Sequence, residues 1–357
     1  MFRNGPSGRA RALVLLVGMA MLTGCGGGEA EPAEGAAAAG APLRIGYSDW
    51  PGWIPWEIAK EKGFFAKNGV QVELVWMDYV PSMEAFAAGQ LDAVGMTNGD
   101  ALVTGATANK AATAIIINDF SDGNDMIIGR PGIASVADLR GKKVGVEVGF
   151  VDHLLLLNAL EKSGLSESDV ELVNIPTNET PQALAAGGVD AIAAWQPSSG
   201  QALKIVSGSK PLYTSADEPG IIYDAVYASR ESLAARREDW MKVVRTWYDV
   251  VDYMNDPANR AEMLQILSAR VKLAPAEYEP LLAGTHILPL SEVIPVFTGG
   301  ATEGFRSLAG STGIVDDFNV KNKVYGALEA EPAYMDPSLT LEVAKERGVP
   351  VAVTTMK

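Results

Sequence analysis

Residues 72–96, VELVWMDYVPSMEAFAAGQLDAVGM, return 98 positions later as residues 170–194, VELVNIPTNETPQALAAGGVDAIAA, with no gap. Ten of the 25 aligned positions are identical, among them Gly89/Gly187 and Asp92/Asp190. Each copy reads as a strand, a short helix ended by glycine, and a second strand. A spacing this long is foreign to small stacked repeats. It fits one β-α-β unit used in each of two similar α/β lobes, and two such lobes leave a cleft between them.

Outward from the repeat, strands and helices alternate from Leu43 onward, the pattern of α/β lobes with mainly parallel sheets. Strands are expected at 43–48, 70–77, 92–96, 113–118, 126–129, 143–148, 170–175, 190–194 and 221–228. Helices are expected between them, as at 55–67 and 152–163. Two stretches of turn formers, 119–125 and 215–220, interrupt the alternation. They divide the chain into a first lobe, 43–122 plus 222–357, and an inserted second lobe, 123–221. A double crossing of this kind permits hinge closure on a ligand. Trp240, Val243, Val244, Trp247, Val250, Val251 and Met254 recur at helical spacing and read as core. Residues from 285 onward are broken by Pro and Gly and give no firm element.

The first 24 residues carry Arg3, Arg9 and Arg11 before an apolar run from Ala12 to Leu22. That run is too short to span a bilayer and has the form of a secretory signal. It ends in Leu22-Thr23-Gly24-Cys25, which resembles the bacterial lipobox, and Cys25 is the only cysteine of the 357 residues. Cys25 is therefore the expected lipidation site and membrane anchor. Residues 25–42 are rich in Gly, Ala, Glu and Pro and read as a flexible tether. One cysteine excludes a disulfide framework. A formal charge of −15 argues against nucleic acid as a partner. No metal-site pattern, P-loop or nucleophile elbow is present, so no cofactor and no catalysis are expected.

Ligands of open α/β sheets sit beyond the carboxyl ends of the strands. Those ends supply Asp49, Trp50 and Trp53 from the first strand, Asp78 from the second, and Thr97 and Asn98 from the third. Asp119 and Asp122 follow the fourth; His153, Trp195 and Gln196 come from the second lobe. The set holds aromatics, carboxylates and amides and no Lys or Arg. Carboxylates beside indole faces suit a small cation, whereas tight oxyanion sites commonly add Arg or Lys. Asp100 could cap the helix that follows it, and Asp119, Asp122 and Asp125 could be turn formers. Trp195 takes the repeat position of Thr97, an exchange that strand structure does not require.

The lipobox, tether and two-lobed layout resemble the extracytoplasmic solute-binding proteins of ABC importers. The phrases IAKEKGFFAKNGVQVELV (58–75), FAAGQLDAVGM (86–96) and DLRGKKVGV (138–146) are similar to the nitrate/sulfonate/taurine/thiamine-precursor group. GWIPW (52–56), MTNGDAL (96–102), NDFSDGND (118–125) and VDAIAAWQP (189–197) resemble its branch associated with urea-carboxylase-type genes, for which guanidine is the implied ligand. The resemblance implies a two-lobed, type II periplasmic-binding-protein-like α/β fold, with a mixed, mainly parallel sheet in each lobe and a hinge between the lobes. It also implies a monomer that hands a small molecule to a permease and its ATPase. The favoured ligand is a guanidinium-type cation. An aliphatic sulfonate, taurine or nitrate is the alternative within transport, and a pyrimidine-precursor-type enzyme is the alternative outside it.

Overall fold

Two mixed sheets, each flanked by helices, carry the fold. The computed structural model describes residues 40–108, 110–330 and 334–351, so the signal, Cys25 and most of the tether lie outside the described residues. The strands are β1 (Leu43–Tyr47), β2 (Val72–Trp76), β3 (Ala93–Thr97), β4 (Ala112–Ser121), β5 (Met126–Gly129) and β6 (Lys143–Val146). They continue as β7 (Glu171–Asn174), β8 (Ala191–Ala194), β9 (Lys210–Thr214), β10 (Tyr223–Ser229) and β11 (Thr285–Ile287). One sheet has the order β11-β4-β10-β3-β1-β2 and the other β7-β6-β8-β5-β9. The six-stranded sheet thus draws on both ends of the described chain.

The repeat has a visible physical basis. In the first copy, β2, the helix Tyr79–Ala87 and β3 follow one another; in the second, β7, the helix Thr180–Ala186 and β8. Gly89 and Gly187 both adopt left-handed backbone, φ 74° and 77°, which ends each helix where a side chain would be strained. The shared aspartates do one job twice. Asp92 Oδ2 accepts from the Arg44 N–H at 2.9 Å and Asp190 Oδ2 from the Lys143 N–H at 3.0 Å. Each tethers the first residues of the neighbouring parallel strand, β1 or β6.

The sheets are mixed and mainly parallel, as expected: β10 and β11 run against β1, β2, β3 and β4 in the first, and β5 runs against its neighbours in the second. One sequence expectation is corrected. The first strand after the 98–108 helix does not stop at the turn formers; β4 continues through Asn118, Asp119 and Phe120 to Ser121, because β10 and β11 pair with it on both sides. From residue 285 onward, where no firm element is expected from the sequence, the described residues form β11 and the helices Leu290–Thr298, Leu308–Lys321 and Ser338–Glu346.

The long helix Arg237–Asn255 buries Trp240, Val243, Val244, Trp247, Val250 and Val251. Trp247 packs on Trp56 with ring centroids 4.9 Å apart. The two crossings between the sheets are tied to each other. Ser121 Oγ and Ser215 Oγ lie 2.6 Å apart, and Ser215 Oγ also accepts from the Gly123 N–H at 2.7 Å.

Asp92 accepts a second bond, from Ser232 Oγ at 2.8 Å, that Asp190 lacks. A buried or half-buried hydrogen bond contributes about 0.5–1.5 kcal/mol. Asp92→Ala is therefore expected to lower stability by about 1–3 kcal/mol and Asp190→Ala by about half that. Urea unfolding of the two variants checks the order.

Candidate functional site

Where β3, β4 and β10 lie side by side, their register sets three polar residues in a row. Asp224, near the start of β10, faces Thr97 at the end of β3 and Asp119 near the end of β4. Asn98 fixes this alignment: its Oδ1 accepts from the Tyr223 N–H at 3.0 Å and its Nδ2 donates to Ser311 Oγ at 3.0 Å.

Above this row lies a small, partly open cavity lined by Trp50, Trp53, Tyr79, Thr97, Asp125, Val151, Trp195, Ile222 and Asp224. Its free space is about 10 Å³, roughly the room one water needs. A ligand larger than a water would have to displace part of this lining. Next to it, a wider cleft of about 290 Å³ is bordered by Asp49, Asp78, Glu84, Glu147 and Glu179. Neither lining includes Lys, Arg or His.

The rings form a connected wall. Tyr79 stacks on Trp53 at 5.4 Å and meets the edge of Trp195 at 5.2 Å. The Trp195 indole N–H faces the Asp49 carboxylate. Trp50 Nε1 donates to Asp119 Oδ1 at 3.0 Å, which places Asp119 one layer behind the cavity. Gly52 makes that bond possible: a Cβ there would stand 1.8 Å from Asp119 Oδ2 and 2.7 Å from Trp50 Nε1.

Five carboxyl groups are buried near the cavity: Asp100, Asp119, Asp125, Asp152 and Asp224. Burial pushes Asp100 up to about 7 despite the Tyr79 O–H that donates to it at 2.6 Å. It pushes Asp125 to about 7 and Asp119 to about 8. Asp224 and Asp152 go well above the usual carboxylate range, by burial first and then by neighbouring carboxylates. Toward the cleft, burial raises Asp49 to about 6 and raises Glu147. Oδ2 of Asp125 and of Asp224, both in the cavity lining, has no hydrogen-bond partner in the protein. Among the described residues no cluster of His, Cys, Asp and Glu is arranged to hold a metal.

The structure thus brings together Trp50, Trp53, Thr97 and Trp195 around the cavity, with Asp119 behind it and Asp49 and Asp78 in the cleft. Trp50 and Trp53 also belong to the hydrophobic core. Four other candidates lie outside both linings. Asn98 is saturated by Tyr223 and Ser311; Asp122 is exposed, its N–H donating to Gly284 O. His153 Nδ1 accepts from the Gly149 N–H at 3.3 Å, and burial lowers its pKa although Glu167 opposes this. Gln196 Oε1 accepts from the Gly200 N–H at 3.2 Å. Asp100 does not cap its own helix; Thr97 Oγ1 accepts from the Asp100 N–H at 3.0 Å. The Asp100 carboxylate instead faces the Val151 N–H at the start of the helix Val151–Lys162.

Sequence reasoning missed Tyr79, Asp224, Val151, Ile222 and Glu147. Tyr79 had a signal: it takes the repeat position of Thr177, a mismatch of the same kind as Thr97 against Trp195. Asp224 had one as well, as a lone acid inside an apolar strand.

The class of protein follows from these features: a two-lobed α/β fold with a small cavity lined by elements of both lobes. Residues 36–268 match the model of the NMT1-like family, and the chain belongs to that family. A binding protein of Brucella abortus (strain 2308) is 28% identical over 299 residues, covering 82% of this chain and 90% of its own. An aliphatic sulfonates-binding protein of Bacillus subtilis (strain 168) is 31% identical over 193 residues, 52% of this chain and 56% of its own. Among solved structures, the alkanesulfonate-binding protein of Xanthomonas axonopodis pv. citri bound to MOPS aligns with TM-score 0.69 and 22% identity, covering 85% and 100% of the two chains. The periplasmic nitrate-binding protein of Synechocystis PCC 6803 aligns with TM-score 0.67 and 14% identity, covering 87% and 91%. The fold is that of periplasmic binding proteins.

Two outcomes follow. Gly52→Ala forces Trp50 and Asp119 apart and is expected to cost about 1–3 kcal/mol, with a change in tryptophan emission. The buried carboxyls set a pH trend. Their folded values lie above the unfolded value of about 3.9, so the folded protein binds more protons and its stability is lost as pH rises through 7–8. Calorimetry of the ligand-free protein is expected to give a Tm several degrees higher at pH 5.5 than at pH 8.5.

Proposed function

We propose that this chain is the extracytoplasmic solute-binding component of an ABC importer, which closes its two α/β units around a small ion. The observation that carries the reading is the small cavity walled by four aromatic rings and contributed to by both sheets' units. The family and the relatives' descriptions as binding proteins support transport rather than catalysis. No helix of the described residues is long and apolar enough to cross a membrane. Cys25, lipidated, would supply the attachment, and a permease with its ATPase would receive the ligand.

Two readings of the ligand have separate support. The relatives back a sulfonate- or nitrate-like anion, and nothing in the comparisons supports a guanidinium-type cation. This chain's own lining supports the cation. Asp125 and Asp224 bring carboxyls whose Oδ2 receives no donor to the lining of a cavity without a basic residue, beside indole faces that favour positive charge. An anion held by helix N-termini finds two of them already occupied, by Thr97 and by Asp100. On geometry we favour a small planar cation of guanidinium type.

Thermal shift with guanidinium chloride at millimolar, non-denaturing concentration, against nitrate, taurine and methanesulfonate, decides between them. A ligand at 100 times its Kd adds about 2.7 kcal/mol to stability. A shift with guanidinium alone is the expected result; a shift with the anions alone establishes the other reading. Asp125→Asn is expected to weaken cation binding at least tenfold, whereas anion binding would hold or improve.

A further inference from the structure

Asp119 and Asp224 stand opposite each other in the β4–β10 register, and both are buried. Asp224 lines the cavity; Asp119 lies behind it under the Trp50 indole. No N–H or O–H from outside the pair reaches Oδ2 of either, and the two carboxyls are hydrogen-bond neighbours of each other. The ionisable groups around them are acids and phenols. Asp100 and Tyr79 come from the helices beginning at Asn98 and Tyr79, Asp125 from the crossing, Tyr227 from β10 itself, and Tyr278 from the helix Pro275–Ala283. The histidine of β11, His286, is one residue from the strand partner of Asp119, but it is exposed and held by Glu292 at 2.6 Å. Two adjacent carboxyls without a counter-charge do not both ionise.

We propose that the Asp119–Asp224 pair selects the charge of the ligand by exchange: a small cation enters the cavity as a proton held by the pair leaves to solvent. The inference rests on the cation reading above. The O–H bond of the pair breaks, its proton passes to bulk water, and N–H groups of the cation donate to the freed carboxylate. The net charge of the cavity is the same before and after, so closure does not bury an added charge. Asp224 is then a specificity determinant, since it is the member of the pair in the cavity lining. The raised values of both groups agree with a proton being present near neutral pH when the cavity is empty.

The exchange has a direct readout. Isothermal titration of the full chain with guanidinium chloride, in two buffers of different ionisation heat, counts the protons released. Close to one is expected near pH 6–7, falling toward zero above about pH 8.5, with affinity rising about tenfold per pH unit until it levels off. Asp224→Asn is expected to fold with equal or higher Tm, to release less than half a proton, and to bind at least tenfold more weakly. Guanidinium binding that is flat in pH and releases no proton overturns the exchange and leaves the cation reading standing. Binding of nitrate or methanesulfonate alone, weakening as pH rises, overturns both. If Asp224→Asn fails to fold, the proton count of the unmutated protein decides.

Discussion

The antiparallel register that seats Asp224 between Thr97 and Asp119 is the constraint on which the site depends. It sets a carboxyl pair against the floor of an apolar cavity, where ionisation is costly unless a positive charge arrives. The surrounding devices hold that arrangement in place. Asn98 fixes the start of β10, Trp50 restrains Asp119, and Gly52 leaves the room both require. Such a site is a poor structural element by itself. Burying five carboxyls near one cavity lowers stability at neutral pH, which is the expected character of residues arranged for a ligand rather than for the fold.

The scaffold was legible in the repeat because its requirements are local. Gly89 and Gly187 end helices, and Asp92 and Asp190 tether neighbouring strands; both roles act within a few residues or across one strand pair. The site was legible only in part. Reading the carboxyl ends of parallel strands found Trp50, Trp53, Thr97 and Trp195. It could not find Asp224, because β10 returns from the inserted unit and runs antiparallel, so that its beginning, not its end, reaches the cavity. The turn formers around residue 119 misled for a related reason: β10 and β11 pair with both sides of that segment and keep it extended. Asp122, beyond the last pairing, is exposed, whereas Asp125 folds back into the cavity lining.

The mismatches of the repeat acquire a geometric meaning. At one pair of equivalent positions the first copy has Tyr79 and the second Thr177; at another the first has Thr97 and the second Trp195. A large ring and a small hydroxyl have traded places. The two rings meet edge to face at 5.2 Å, while Thr97 receives a neighbouring N–H and Thr177 donates to Asp152 at 2.7 Å. Had both copies carried the ring at the same position, the rings would stand at equivalent places in the two units rather than interleave across the gap.

That interleaving puts rings and carboxyls of the two units in contact. Trp195, carried by the five-stranded unit, reaches Tyr79 and Asp49 on the six-stranded one, and Tyr79 in turn donates to Asp100. The Asp100 carboxylate faces back to Val151 at the head of a helix in the five-stranded unit. Ring contact and carboxyl partner are therefore both contacts between the two units. At the crossings the same logic recurs, since the Asp125 N–H donates to Ser121 Oγ at 3.3 Å and Ser121 Oγ meets Ser215 Oγ. Asp125 is thereby bonded to the end of β4 and lines the same cavity as Asp224 of β10. A closure biased by ligand, as proposed, needs contacts that differ between its states, and residues of both units meet at this one cavity to make them.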